Sequence, residues 1–150
     1  MRPTLNQYLL TLAQAASTRA TCAKRQVGAV VADAQGRIVA TGYNGPPSGF
    51  KHCTEHPCPG ALEAAAPASH AYCNAIHAEQ NALLLAGEKA RGGTIAVTTS
   101  PCKACTLMII NAGIQLVLFT EQNRLFADKA SHGTSPEALL KQAGVAYQQL

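Results

Sequence analysis

The sequence has no tryptophan, three phenylalanines and four tyrosines, and an aromatic content of 5% leaves few platforms on which a run of nucleobases could stack. It also lacks an apolar run of the roughly eighteen residues that a membrane-spanning helix needs. Arg2 and Pro3 lead into TLNQYLLTLAQAAS, an amphipathic stretch with neither the apolar core nor the cleavage site of a secretory leader, so a cytoplasmic location is expected. No block of one charge is present. Twelve Lys and Arg against eight Asp and Glu give a net charge of +4, and Lys24 and Arg25 are the adjacent pair of cations. Scattered charge of this kind suits a small anion better than a long polyanion, so nucleic acid is not expected as the main partner.

What remains is the makeup of an ordinary globular chain, 150 residues long and 47% hydrophobic, read as one domain over residues 1–150 that can bury a core without staples. Six cysteines in such a chain, with no sign of export, point to metal or catalysis rather than to disulfides.

Leu5, Leu9, Leu12 and Ala16 recur at helical spacing and predict an N-terminal helix with one buried face. Two short strands follow, about Val27 to Ala32 and Arg37 to Thr41, joined by a turn with Asp33 and Gly36. Tyr43 to about Tyr72 reads as a long loop rich in Pro, Gly, Cys and His, a length uncommon in a compact domain unless functional or pinned. A second helix is predicted from about Ala75 to Ala86 with Gly87 just past its end. GGTIAVTTS gives a third strand, PCKACTLMIINAG a third helix closed by Gly113, and IQLVLFT a fourth strand. Ser135, Pro136 and Glu137 form an N-cap, first-position proline and first-turn acid for a last helix ending near Gly144, and VAYQQL reads as a fifth strand. Strands alternating with helices imply an α/β fold, a three-layer α/β/α sandwich around a mixed five-stranded sheet.

His77 falls in the first turn of the second predicted helix, and Cys102 and Cys105 fall in the first turn of the third. If the two helix starts converge, one imidazole and two thiolates make the three-ligand set of a catalytic zinc, with the fourth position open to water. The helix N-termini favour the thiolate form that a metal requires. Glu79, two residues from His77, is too close along the chain to share the ion comfortably but is placed to exchange a proton with water on it. A lone Cys-x-x-Cys could be a redox pair and a lone His a structural one; His-x-Glu followed by Pro-Cys-x-x-Cys is far more specific.

The match widens beyond those motifs. TCAKRQVGAVV, GYNGPPSG, HAEQNALLLAG, TTSPCKAC and INAGI stand in the order and spacing of the deoxycytidylate (dCMP) deaminase family, and the chain resembles that family over roughly residues 1–120. The resemblance implies zinc-dependent hydrolysis of dCMP, or of a 5-substituted dCMP, to dUMP and ammonia in the supply of dTMP precursors. It implies His77, Cys102 and Cys105 on zinc, Glu79 as proton shuttle, and a substrate-binding set of Asn44, Arg25, Lys24, Ala78 and Ser100. Asn44 is assigned to the sugar, and Arg25 or Lys24 to the phosphate on charge grounds. Members of the family form homo-oligomers, and some respond to dCTP and dTTP. Deamination of free cytidine or deoxycytidine, or of tRNA adenosine, is the competing reading, and a non-enzymatic zinc-stabilised module is the reading from another class. After the fourth strand the family often carries Tyr-His-Asp where this chain has TEQNRLFADKASHG.

Some branches of the family hold a second, structural zinc between a cysteine ahead of the first strand and the long loop. Cys22, Cys53, His70 and Cys73 would form that closed site, with Cys58 competing for one place.

Overall fold

A computed structural model describes residues 1–62 and 72–150. Helix α1 (Leu5–Ser17) opens with a reciprocal cap, the Thr4 hydroxyl accepting from the Gln7 N–H and the Gln7 side chain accepting from the Thr4 N–H. Strands β1 (Gly28–Ala32) and β2 (Ile38–Tyr43) form a hairpin whose turn is closed by Asp33, its carboxylate accepting from the backbone N–H groups of Gln35 and Arg37. The second strand runs two residues further than the sequence pattern suggests, because Gly42 and Tyr43 pair with Ala29 and Gly28. Leu5 differs from expectation too. It lies beside Gly36 at the hairpin turn, beyond the covered part of the sheet, and remains 50% exposed; Leu9, Leu10, Ala13 and Ser17 make the buried stripe instead.

Strand β3 (Thr94–Thr99), helix α4 (Lys103–Asn111), strand β4 (Leu116–Glu121), helix α5 (Pro136–Ala143) and strand β5 (Ala146–Gln149) complete a five-stranded mixed sheet of order β2-β1-β3-β4-β5. The hairpin and the β1/β3 pair are antiparallel, and β3, β4 and β5 run parallel. Alternation along the strands divides the core. Val30, Ala32, Ala96 and Leu118 pack with Leu9, Leu10 and Ala13 of α1; Ala29, Val31, Ile95, Val97, Val117 and Phe119 pack on the opposite face. That face is covered by α4, α5 and helix α3 (Ala78–Ala86), giving the three expected layers. Ser135 caps α5 through the Ala138 N–H, and Gly144 closes it in the left-handed conformation.

Two local differences bear on the site. The long segment before α3 contains a short helix, α2 (Pro59–Leu62), where only loop was expected. Helix α3 starts at Ala78 rather than Ala75, because the backbone of Ile76 is taken up by a two-way hydrogen-bonded bridge to Gly45, at 2.8 and 3.2 Å. Among the described residues no helix is long and apolar enough to cross a membrane.

Candidate metal centre and nucleotide-sized cavity

The bridge at Ile76 moves His77 out of the helix and makes it the N-cap of α3, with its backbone N–H donated to the Gln80 side chain at 2.7 Å. Cys102 holds the same position on α4, its sulfur accepting from the Cys105 N–H at 3.5 Å. These two helix starts meet. His77 Nδ1 lies 3.6 Å from Cys102 Sγ and 3.3 Å from Cys105 Sγ. A tetrahedral zinc with ordinary Zn–N and Zn–S bonds sets N and S ligands about 3.5 Å apart, so the donor set fits that ion in both chemistry and spacing. Among the described residues this is the one group of three or more such ligands whose atoms lie within 4.8 Å of one another.

That crowding shifts the ionisation of all three side chains. Cys102 is pulled down to about 4, chiefly by the Cys105 thiol and then by His77, against its own burial. Cys105 is driven far above the usual thiol range because it keeps the proton shared with Cys102, with burial adding to the effect. His77 is raised by its hydrogen bond to Cys102. A zinc takes both sulfurs as thiolates and the imidazole in its neutral form, so its binding is coupled to proton release.

Glu79 is 3% exposed, on the first turn of α3. Burial pushes its carboxyl up to about 7, and hydrogen bonds from its own backbone and from Cys105, together with the charge of His77, keep it from rising further. A carboxyl poised near neutrality beside a metal site can both take and give a proton.

His77, Glu79 and Cys102 open on a cavity of about 650 Å³, a volume suited to a small ligand. All five sequence-derived substrate candidates, Lys24, Arg25, Asn44, Ala78 and Ser100, line it. Asn44 is largely committed to the fold: its oxygen accepts from the Val27 N–H and its amide donates to the Arg25 carbonyl, both at 2.8 Å. Arg25 gives Nη2 to the Thr99 hydroxyl at 3.0 Å. Lys103 also lines the cavity and was not singled out from the sequence; Asn123, Arg124, Leu125 and Asp128 line it too, and belong to the TEQNRLFADK loop, the alternative to Arg25 as holder of the phosphate. The mismatch of TEQNRLFADKASHG with the family pattern was the signal that marked the loop, without choosing a residue in it.

The other cysteines cluster loosely. Cys53 Sγ is 3.7 Å from Cys58 Sγ and accepts from the Cys58 N–H, so Cys58 is the thiol within reach of Cys53. Burial raises Cys73, and Cys58 and Cys22 nearby raise it further. The Thr54 N–H donates to the Thr21 carbonyl, holding this loop against the approach to β1. His70 lies outside the described residues.

Residues 3–121 match the family described as the cytidine and deoxycytidylate deaminase zinc-binding region. The chain is 40% identical over 129 residues to a deoxycytidylate deaminase of Mycobacterium phage D29, covering 81% of this chain and 98% of that one. It is 36% identical over 151 residues to a deoxycytidylate deaminase of Saccharomyces cerevisiae, but spans only 46% of that longer protein. A dCMP deaminase of cyanophage S-TIM5, solved in complex with dCMP and dUMP, superposes with a TM-score of 0.74 at 30% identity, covering all of this chain and 99% of that one.

Proposed function

Because the chain belongs to the cytidine and deoxycytidylate deaminase family, we propose that it hydrolyses dCMP to dUMP and ammonia. The observation that carries this reading is the convergence of a three-ligand zinc set and a buried glutamate on a cavity that also holds cations. His77, Cys102 and Cys105 hold the zinc. When bound, the metal supplies the Lewis acidity that makes water a nucleophile at neutral pH. Glu79 takes the proton released as water adds to C4 of the cytosine and places it on N3. It then takes the proton of the new C4 hydroxyl and delivers it to the exocyclic nitrogen, which leaves as ammonia as the C4–N bond breaks and C4 becomes a carbonyl carbon. Ala78 and Ser100 bound the base, Asn44 meets the sugar with the donor left after its two fold contacts, and the cationic wall takes the phosphate.

The same reading includes a second, structural zinc on Cys22, Cys53, His70 and Cys73, with Cys58 competing for one place, and the Cys53–Cys58 approach supports a cysteine-rich site. It includes self-association, supported by exposed Leu84 and Leu85 on α3 and Leu107 and Met108 on adjacent α4, together with control by dCTP or dTTP and a cytoplasmic setting. An ammonia-release screen of dCMP, dCTP, CMP, deoxycytidine and 5-substituted dCMPs tests the proposal. A dCMP-type substrate should be preferred, and preference for the free nucleoside would overturn the assignment.

A further inference from the structure

The connection between β4 and α5 is anchored at two points. Asn123 grips Ser100 doubly: its backbone N–H donates to the Ser100 hydroxyl at 2.9 Å, and its side-chain amide donates to the Ser100 carbonyl at 2.7 Å. Three residues later Phe126 is fully buried, meeting Phe119 and Tyr147 edge-on at ring-centroid distances of 4.9 and 5.5 Å. The Phe126 N–H closes the turn on the Asn123 carbonyl, and the Phe126 carbonyl accepts from the Glu137 N–H. Between these anchors Arg124 and Leu125 are exposed, and both line the cavity that also holds His77 and Glu79.

Among the described residues Arg124 has no hydrogen-bond or ion-pair partner, whereas Arg25 already spends one arm of its fork on Thr99. Nothing in the fold calls for a guanidinium at position 124. A rigid turn ending in an uncommitted fork is a pre-organised receptor for a doubly charged oxyanion, because little backbone freedom is left to lose on binding. The lining charges agree: Lys24, Arg25, Lys103 and Arg124 line the cavity along with two acids, Glu79 and Asp128. Asp128 is partly satisfied by the Ala130 N–H at 3.0 Å.

We propose that Arg124 is the specificity-determining residue that recognises the 5′-phosphate of the substrate, held in place by the Asn123–Ser100 clasp and the Phe126 anchor. The inference rests on the proposed function and assigns one group of it to a loop where this chain departs from the family pattern. Being exposed, Arg124 can be replaced without disturbing the core.

The test compares wild type, Arg124→Ala and Arg25→Ala, each zinc-loaded, in the deamination of dCMP and deoxycytidine and in calorimetric binding of dUMP. Loss of a charge-assisted, two-pronged contact should raise the dCMP KM and the dUMP Kd of Arg124→Ala by about 10- to 100-fold. Its kcat on dCMP, its kcat/KM on deoxycytidine and its melting temperature should stay near wild type. Unchanged dUMP affinity, or an equal loss on both substrates, would overturn the proposal. So would a phosphate-selective loss seen in Arg25→Ala and absent from Arg124→Ala. A wild type that neither deaminates dCMP nor binds dUMP would instead bring down the functional reading itself.

Discussion

Replacing Gly42 with alanine is expected to damage catalysis from the far side of helix α3. A Cβ at this position would lie 2.6 Å from the Ala82 nitrogen and 3.1 Å from the Ala82 Cβ, and closer still to the Ala78 carbonyl oxygen. Carbon contacts settle at about 3.5–4.0 Å, so the helix must lift by roughly 1 Å. Overpacking of this kind costs about 1–3 kcal/mol. At ~2–4 °C per kcal/mol for a chain of this size, the melting temperature should fall by roughly 2–12 °C. The lifted helix carries His77 at its cap and Glu79 in its first turn. Misplacing a catalytic group by about 1 Å can cost on the order of 10²-fold in rate. Gly28 supplies the control: its added Cβ would lie 2.5 Å from the Ser17 nitrogen and closer to the Ala13 carbonyl, pressing on α1, which contributes nothing to the cavity. Thermal melts and dCMP kinetics per folded, zinc-loaded molecule should therefore separate the two. Gly28→Ala should lose comparable stability at unchanged kcat/KM, and Gly42→Ala should lose both. Equal specific activity in the two variants would refute the idea that the seating of α3 on β2 sets the site.

Glu79→Gln should fold and retain its catalytic zinc by metal analysis, yet lose about 10²- to 10⁴-fold in kcat, since the missing carboxylate serves successive proton transfers; near-normal turnover would disprove the mechanism. Metal analysis of the wild type should return about two zinc ions per chain, and Cys53→Ala should lose one of them along with stability, a structural ion contributing directly to folding. A wild-type value of one would eliminate the second site. Asn44→Ala should lower stability by about 1–3 kcal/mol in denaturant titration, because the Val27 N–H and the Arg25 carbonyl lose their partner at a buried position. An unchanged midpoint would show that water replaces the side chain there.

Those features of the fold that depend on neighbours in sequence could be read directly. Ser135, Pro136 and Gly144 bound α5 as their residue types dictate, and the short apolar runs of β1, β3 and β4 could be read as strands. His-x-Glu and Pro-Cys-x-x-Cys were legible for the same reason, each being a local pattern. The misreadings share an origin in long-range pairing. The start of α3 is decided by Gly45, the length of β2 by β1, and the exposure of Leu5 by where the hairpin turns. Asn123 and Ser100 are 23 residues apart and joined by side-chain and backbone donors with no periodic signature, so the wall they build could not be seen beforehand.

The bridge between Gly45 and Ile76 acts as a drawstring on everything between them. Gly45 stands two residues past the end of β2 and Ile76 two residues before the start of α3, so the pairing sets the point from which His77 enters its cap. Loop length enters the closure cost only logarithmically, each doubling adding about 0.6 kcal/mol. The segment inside the drawstring can therefore be lengthened, shortened or rebuilt in sequence while the metal ligand at its exit keeps its address. A protein built this way can change what surrounds the mouth of its cavity without renegotiating the chemistry at the bottom.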